Sequence, residues 1–380
     1  MSSATNSALA EASIPTLLMC LAQITRDEKW LSEPYLPRRD TNLFHDETGG
    51  LPDEVQQEVR TAMSAVLDEL NAGTRTLPTE IDNDLFVTMM RNCVAEQVAP
   101  EYAPMLLEEL GFVDRDVHWS DAVPPELPAG FRVLVIGAGF AGICAAIKLQ
   151  ALGIPYVVVE KNSDIGGTWF DNNYPDAGVD TPNHFYSYSF APNTKWKHYF
   201  SKRSDIWQYA QDVAEKFNII SHIRFSTEVT TMKWNVESQT WTTTITNSAQ
   251  TKDEEFSAVI TAVGQLNRPN LAPARGIENF NGDWFHSAHW NHSVDLSGKR
   301  VAVIGTGASA MQFMPTLAAT AGDVTIFQRS PQWVRPNNDY HRTVSENTMW
   351  LLENMPFYAQ WYRFGLFWRF GDGLLRTLRR

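Results

Sequence analysis

The sequence predicts an α/β protein, with two strand–turn–helix–strand units in series behind an all-helical N-terminal extension. Three observations predict it. The apolar run Val133-Leu134-Val135-Ile136 leads into Gly137-Ala138-Gly139-Phe140-Ala141-Gly142 and a helical run from Ile143 to Leu152. The same order recurs as Arg300-Val301-Ala302-Val303-Ile304, then Gly305-Thr306-Gly307-Ala308-Ser309-Ala310, then a helical run from Met311 to Ala319. Upstream of about Gly130, apolar residues recur at the helical period instead.

The extension contains four such runs. Leu17, Leu18, Leu21 and Ile24 form the first. Val55, Val59, Ala62, Met63, Val66, Leu67 and Leu70 form the second, closed by Asn71-Ala72-Gly73. Asp84 to Val98 and Met105 to Leu110 complete the set. No catalytic constellation stands out among them. His45 and His118 are isolated and read as surface or packing residues. A Pro-rich stretch from Asp121 to Pro128 links the extension to the first strand.

In the first glycine turn each position has a mechanical reason. Gly137 permits the tight turn, Gly139 lets the backbone approach a pyrophosphate, and Gly142 lets helix pack on strand. The amides at the helix start then face the phosphates. A second apolar strand, Tyr156 to Val159, ends on Glu160, where an acid can accept from a ribose hydroxyl. In the second turn Ala310 replaces the third glycine, which the motif tolerates. Its second strand, Asp323 to Gln328, ends on Arg329, whose fork suits a 2′-phosphate, so NADP is expected over NAD. These are two Rossmann-like dinucleotide-binding folds. Two in series imply a flavin on one and a nicotinamide on the other, since hydride passes readily between them.

Between the folds, Gly166-Gly167 could let the chain pass close to a cofactor. The alternating aromatics Phe185, Tyr186, Tyr188 and Phe190 read as a packed strand. Ser204 to Phe217 reads as an amphipathic helix, Phe225 to Trp234 and Thr240 to Thr246 as a hairpin-like pair, and Phe256 to Gly264 as a buried strand. The expected domains are 1–128, the helical extension; 129–265, the first nucleotide fold; 266–298, a connector; and 299–380, the second nucleotide fold.

Composition narrows the function classes. The formal net charge of −13 disfavours nucleic acid. Cys20, Cys93 and Cys144 are odd in number and far apart, so neither a disulfide framework nor a metal site is expected, and a reducing compartment fits. No signal peptide or membrane-length apolar run is visible, and the expected location is cytoplasmic.

The segment Phe280-x-Gly282-x-x-x-His286-x-x-x-Trp290 resembles the FxGxxxHxxxW fingerprint of the Baeyer–Villiger flavin monooxygenases. Gly166-Gly167-x-Trp169, with Tyr174-Pro175 and Asp180, is similar to a second signature of that family. The N-terminal extension and Val263-Gly264-Gln265-Leu266-Asn267-Arg268-Pro269 look most like its 4-hydroxyacetophenone-oxidising branch. The resemblance implies that NADPH reduces FAD, that reduced flavin takes up O2 as a C4a-peroxide, and that a small aryl or cyclic ketone becomes an ester or lactone. It implies FAD contacts from Gly137, Gly139, Gly142, Glu160, Gly167, Thr168, Trp169, Asp180, Tyr186 and Val229. It implies NADP contacts from Gly305, Thr306, Gly307, Ala308, Ser309, Gln312, Arg329 and Ser330. Asp180 would orient a catalytic arginine, and His286 would couple domain motion rather than move protons. A homodimer contact through the extension follows by analogy.

Departures from the family pattern are Asp176, where Gly or Met is usual, Gly178, where Arg is frequent, and Asn291 after the fingerprint Trp. No GxKR-type segment carrying the family's catalytic arginine follows Arg329. The expectation is therefore a partial, C-terminally truncated member without a complete active site. The aromatic stretch from Met349 to Arg380, interleaved with Arg363, Arg369, Arg376, Arg379 and Arg380, reads as helices of the second fold left partly uncovered, with no stable membrane insertion. The alternatives are an N- or S-oxygenating flavin monooxygenase, where Phe or Tyr would stand for Trp290, and a nucleotide-binding remnant without activity.

Overall fold

The computed structural model describes residues 3–39, 46–119, 123–124, 126–270, 275–334 and 336–373. His45, Asp121, Arg376, Arg379 and Arg380 lie outside the described residues. Helices α1 (Ser3–Glu11), α2 (Ile14–Thr25), α3 (Asp53–Asn71), α4 (Asn83–Val94) and α5 (Ala103–Glu109) come first. Then follow β1 (Val133–Ile136), α6 (Phe140–Ala151), β2 (Tyr156–Val159), the one-turn α7 (Thr168–Asp171), α8 (Arg203–Lys216) and β3 (Ile223–Arg224). Next are β4 (Thr227–Asn235), β5 (Thr240–Asn247), β6 (Thr251–Phe256) and β7 (Ala258–Thr261). β8 (Arg300–Ile304), α9 (Ala308–Thr320), β9 (Asp323–Phe327), α10 (Glu346–Asn354) and α11 (Tyr358–Phe370) complete the order. The chain divides into two compact units. One contains Met1–Arg115, Asp180–Ser201 and Pro336–Arg380; the other contains Asp116–Val179 and Lys202–Arg335.

The first unit is helical. Pro15 sits in the first turn of α2, where its missing N–H costs nothing, and α2 is buried from Ile14 to Ile24. Asp82 caps α4 by accepting from the amides of Asp84 and Leu85. α11 forms the middle of this core. Trp361 and Phe364 are fully buried, and the Trp361 ring lies 5.5 Å from Phe86 of α4. Its indole N–H donates to Gln23 Oε1 of α2 at 2.8 Å. Each such buried side chain contributes roughly 1.5–3 kcal/mol.

The C-terminal helices are therefore covered by the N-terminal ones, against the expectation that they stay partly bare. α11 is buried continuously from Trp361 to Leu366, Arg363 included, and a helix with large apolar residues on several faces has to be enclosed. Among the described residues no single helix is long and apolar enough to cross a membrane.

A second expectation also fails. The segment holding Phe185, Tyr186, Tyr188 and Phe190 is not a strand. The amides of Phe185 and Tyr186 both turn back to Pro182 O, and buried Arg363 of α11 donates to the carbonyls of His184, Phe185 and Ser187. With those backbone groups already bonded, no ladder forms.

The other unit carries the sheets. β3-β2-β1-β7 form a parallel sheet, with Val133 opposite both Tyr156 and Ala258. The crossover helix α6 requires the parallel pairing of β1 and β2. β4-β5-β6 form an antiparallel sheet whose Ile245 and Phe256 pack on Leu134 and Val159. β6, with its run Lys252-Asp253-Glu254-Glu255, shows no apolar alternation and is missed by pattern reading. β7 proves to be an edge strand, half-buried rather than buried, because only β1 flanks it. β8 and β9 pair in parallel, Arg300 to Asp323 through Ile304 to Phe327.

Candidate nucleotide sites

Both glycine turns sit at the carboxyl ends of parallel strands, the position where α/β sheets bind ligands. In the first, Gly137 has φ +99°, and an added Cβ would lie 2.6 Å from Ala262 O. At Gly142 an added Cβ would meet Gly137 O at 1.9 Å, so helix α6 rests directly on the turn. Gly139 faces differently. Its nearest neighbour is the backbone of Gly167, 3.6 Å from where a Cβ would stand.

The second glycine pair thus packs backbone to backbone on the first turn. Gly166 N donates to Ala138 O at 3.0 Å, and Trp207 of α8 closes over Gly166 while its indole donates to Ile165 O at 2.9 Å. Thr168 and Trp169 follow in the short α7, where Trp169 N donates to Gly166 O.

Glu160 is 4% exposed at the end of β2. One carboxylate oxygen accepts from Ala138 N at 2.7 Å and the other from Asn162 N at 2.8 Å. The acid therefore ties the glycine turn to the next strand. Each oxygen keeps a lone pair for a further donor. Val229 packs against the Leu134–Val159–Ile245–Phe256 cluster, inside the protein's own core.

Around the second turn the space is open: nothing lies within 4 Å of a Cβ built on Gly305 or Gly307. Thr306 Oγ1 accepts from Gln328 Nε2 at 3.0 Å, a tie from the end of β9 like that made by Glu160. Ala308 and Ser309 begin α9. Arg329 and Ser330 are exposed just beyond β9.

Gln312, expected at the nicotinamide nucleotide, makes bonds within the protein. Its Oε1 accepts from Tyr174 Oη at 2.8 Å and from Gly178 N at 3.3 Å, and its Nε2 donates to Gly178 O at 2.8 Å. Tyr174 and Ala177 share a core with Val303, Ala310, Phe313 and Leu317. The loop from Tyr174 to Gly178 is thereby fastened onto the second fold. Asp176 takes the left-handed φ of +59°, a region glycine adopts without steric cost. Its carboxylate bonds Thr316 of α9 and pairs with Lys202 at 3.2 Å. At Gly178 it is the backbone that serves Gln312.

The fingerprint has a mechanical reading as well. The Phe280 ring lies over Gly282, where a Cβ would stand 2.7 Å from Cε1. His286 Nδ1 accepts from Ala288 N at 3.1 Å and caps the short 3-10 turn Ser287–His289. Trp290 lies 5.2 Å from Phe313 and is packed into the core of the second fold. Asn291 accepts from the Ser293 amide at 3.1 Å and its hydroxyl at 2.6 Å, closing a turn without Pro.

Asp180 and Tyr186 belong to the helical unit, whereas both glycine turns and His286 belong to the other. Asp180 is exposed, and Tyr186 is fixed by its amide on Pro182 O.

Pattern reading missed several supporting residues. Arg203 donates to Phe170 O at 2.8 Å and lies over Trp207, and burial lowers its pKa. Asp171 accepts from Asn162 at 3.0 Å and from Asn267 at 2.5 Å, joining the loop after β2 to the connector after β7. Single polar residues in loops carry no period, so only the fold brings them together. Among the described residues no cluster of metal-ligating side chains occurs.

A family model described as flavin-binding monooxygenase-like matches residues 130–344. An uncharacterised monooxygenase of Sinorhizobium fredii is 39% identical over 376 residues, 98% of this chain and 56% of that protein. A Baeyer-Villiger monooxygenase of Streptomyces coelicolor is 44% identical over 209 residues, 55% of this chain and 40% of its own. Among solved structures, OTEMO in complex with FAD and NADP superposes with a TM-score of 0.55 at 31% identity, over 59% of this chain and 43% of that one. The chain spans about half the length of the curated relatives it matches.

Proposed function

The chain belongs to the flavin-binding monooxygenase-like family, and from that premise we propose that it carries the FAD and NADPH folds of a Baeyer–Villiger monooxygenase. The reaction inserts one oxygen of O2 beside the carbonyl of a small aryl or cyclic ketone, giving an ester or lactone. The single observation that carries this reading is the fastening of the first fold's Tyr174–Gly178 loop onto helix α9 of the second through Gln312. A protein that passes hydride between two nucleotides needs their folds held in register.

The residues fit the two groups. The first turn is bare of side chains at Gly139 and Gly167, so a diphosphate can reach the α6 amides. Glu160, held by two backbone amides, presents its remaining lone pairs to a ribose hydroxyl. The open second turn admits a second diphosphate, and exposed Arg329 and Ser330 suit a 2′-phosphate. When bound, FAD supplies activation of O2 and NADPH the reducing equivalents. His286, whose Nδ1 accepts from Ala288 N, is proposed to hold the connector.

The rival, an N- or S-oxygenating monooxygenase, is disfavoured by Trp290 at the fingerprint's last position. The test is spectroscopic. Purified protein reconstituted with FAD should be yellow, should bleach with NADPH under nitrogen more readily than with NADH, and should regain colour in air. Failure to retain FAD overturns the reading. Turnover of an aryl ketone to its ester, against N-oxide from a tertiary amine, separates the two chemistries.

A further inference from the structure

The helical unit contains a cavity of about 340 Å³ that shares no residue with either glycine turn. It is built by a short pairing of two segments. Tyr199 N donates to Arg342 O at 3.2 Å and Val344 N to Lys197 O at 2.9 Å, which sets the Arg342 guanidinium 4.8 Å over the Tyr199 ring. α11 closes the opposite wall with Tyr358 and Tyr362, whose rings stack at 6.2 Å and 13°. Glu47, Arg60 and Ser345 also line it.

The wall is rich in donors. Tyr358 Oη accepts from Ser13 N at 2.9 Å, which leaves its own hydrogen to give. Tyr362 Oη is buried and faces Tyr199 without a hydrogen bond of ordinary geometry. A buried hydroxyl left unbonded costs about 1–3 kcal/mol in a finished core, so a donor kept there points to something that accepts from it. Arg60 spends one N–H on Leu9 O at 3.1 Å and makes only long contacts of 3.4 Å to Gln56 with the others. Of the two acids on the wall, Glu11 is bonded to Ser345 and Asn347. Burial pushes Glu47 up to about 7, so near neutrality much of it is an uncharged donor. Outside the lining, Arg342 also makes a long 3.4 Å pair with Asp339.

We propose that this cavity is a binding site for a small organic monocarboxylate with an aromatic body. Its carboxylate is received by Arg342, Arg60 and the hydroxyl of Tyr362, and its ring lies against the tyrosine faces. The volume falls within the range of small-molecule sites, roughly 300–1,000 Å³. The site is separate from the nucleotide turns and does not rest on the proposed oxygenase chemistry.

The probe is benzoate, titrated calorimetrically into the full chain with FAD and NADP⁺ present to fill the nucleotide folds. Saturable one-to-one binding is expected, with the neutral isostere benzamide weaker by about tenfold or more. R342Q should weaken benzoate by about tenfold. Y362F removes the unbonded hydroxyl, so it should raise the melting temperature of the unliganded protein while weakening benzoate severalfold. A substitution that merely damaged the fold would lower both. The proposal is overturned if benzoate fails to saturate below about 10 mM, if benzamide binds equally well, if both variants bind like the parent, or if FAD or NADP⁺ displaces the probe.

Discussion

Gln312 and Gly178 hold each other through both amide groups, Nε2 to the glycine carbonyl at 2.8 Å and Oε1 from the glycine amide at 3.3 Å. The pair fixes the loop after α7 to helix α9, and Tyr174 adds a bond to the same oxygen. Gln312→Leu should cost about 2–4 kcal/mol in urea unfolding, because two polar backbone groups and a tyrosine hydroxyl lose their partner. Y174F should cost about 1 kcal/mol. The double variant should fall short of the sum by about 0.5 kcal/mol or more, since both act on one oxygen. Additive losses would show that the two bonds do not form one clasp.

Glycines of the two turns should separate by kind. Gly142→Ala puts a Cβ 1.9 Å from Gly137 O, a collision with backbone that only movement of α6 can relieve. A loss of about 3 kcal/mol or more, or failure to fold, is expected. Gly307 has nothing within 4 Å and an ordinary φ of −71°. Gly307→Ala should therefore leave the melting temperature within a few degrees while NADPH affinity falls by about tenfold. Equal affinity for NADPH would mean that no diphosphate approaches that backbone.

Glu160 tests the first turn from the other side. Glu160→Gln keeps the shape but replaces one accepting oxygen with an NH2 group, so Ala138 N or Asn162 N must face a donor. Stability should fall by about 1–3 kcal/mol. Purified protein should also carry less FAD than the parent, read from the ratio of visible to near-ultraviolet absorbance. Unchanged stability would mean that water replaces the lost bond.

Much of this was legible in the sequence because it is periodic or steric. Strand, glycine turn, helix and strand recur twice, and Gly137 and Gly142 are glycine for reasons any such turn imposes. Three features were not legible. β6 is charged along its length, and pairing with β5 rather than burial makes it a strand. The run from Phe185 to Phe190 alternates like a strand, but Arg363, 173 residues or more away in sequence, takes the carbonyls a ladder would need. Gln312 is expected at the nicotinamide nucleotide by resemblance alone, and nothing in its local sequence marks the bonds it makes to a loop of the preceding fold. Long-range polar partners leave no mark at fixed spacing, so pattern reading places such residues without finding what they hold.

The helical unit carries two buried titrating groups whose effects on stability oppose each other. Burial pushes Glu47 up from 4.5 to about 7, against the pull of Arg342. The folded state therefore binds its proton more tightly, and stability from this group falls as pH rises from about 4.5 to about 7. Burial, then the nearby Arg363 guanidinium, pushes His184 down from 6.5 to about 4. For this group the unfolded chain holds the proton more tightly, and stability is lost as pH falls from 6.5 towards 4. Between about 5 and 6.5 the two proton differences offset each other. Glu47→Gln should expose the histidine, with stability relative to the parent declining as the solution is acidified through that window. His184→Leu should expose the carboxyl, with stability declining as the pH is raised through it. Each slope should approach about 1.4 kcal/mol per pH unit at most. Urea unfolding followed by circular dichroism at closely spaced pH values reads both slopes. If the two variants show slopes of the same sign relative to the parent, at least one of these groups keeps its ordinary pKa in the folded protein.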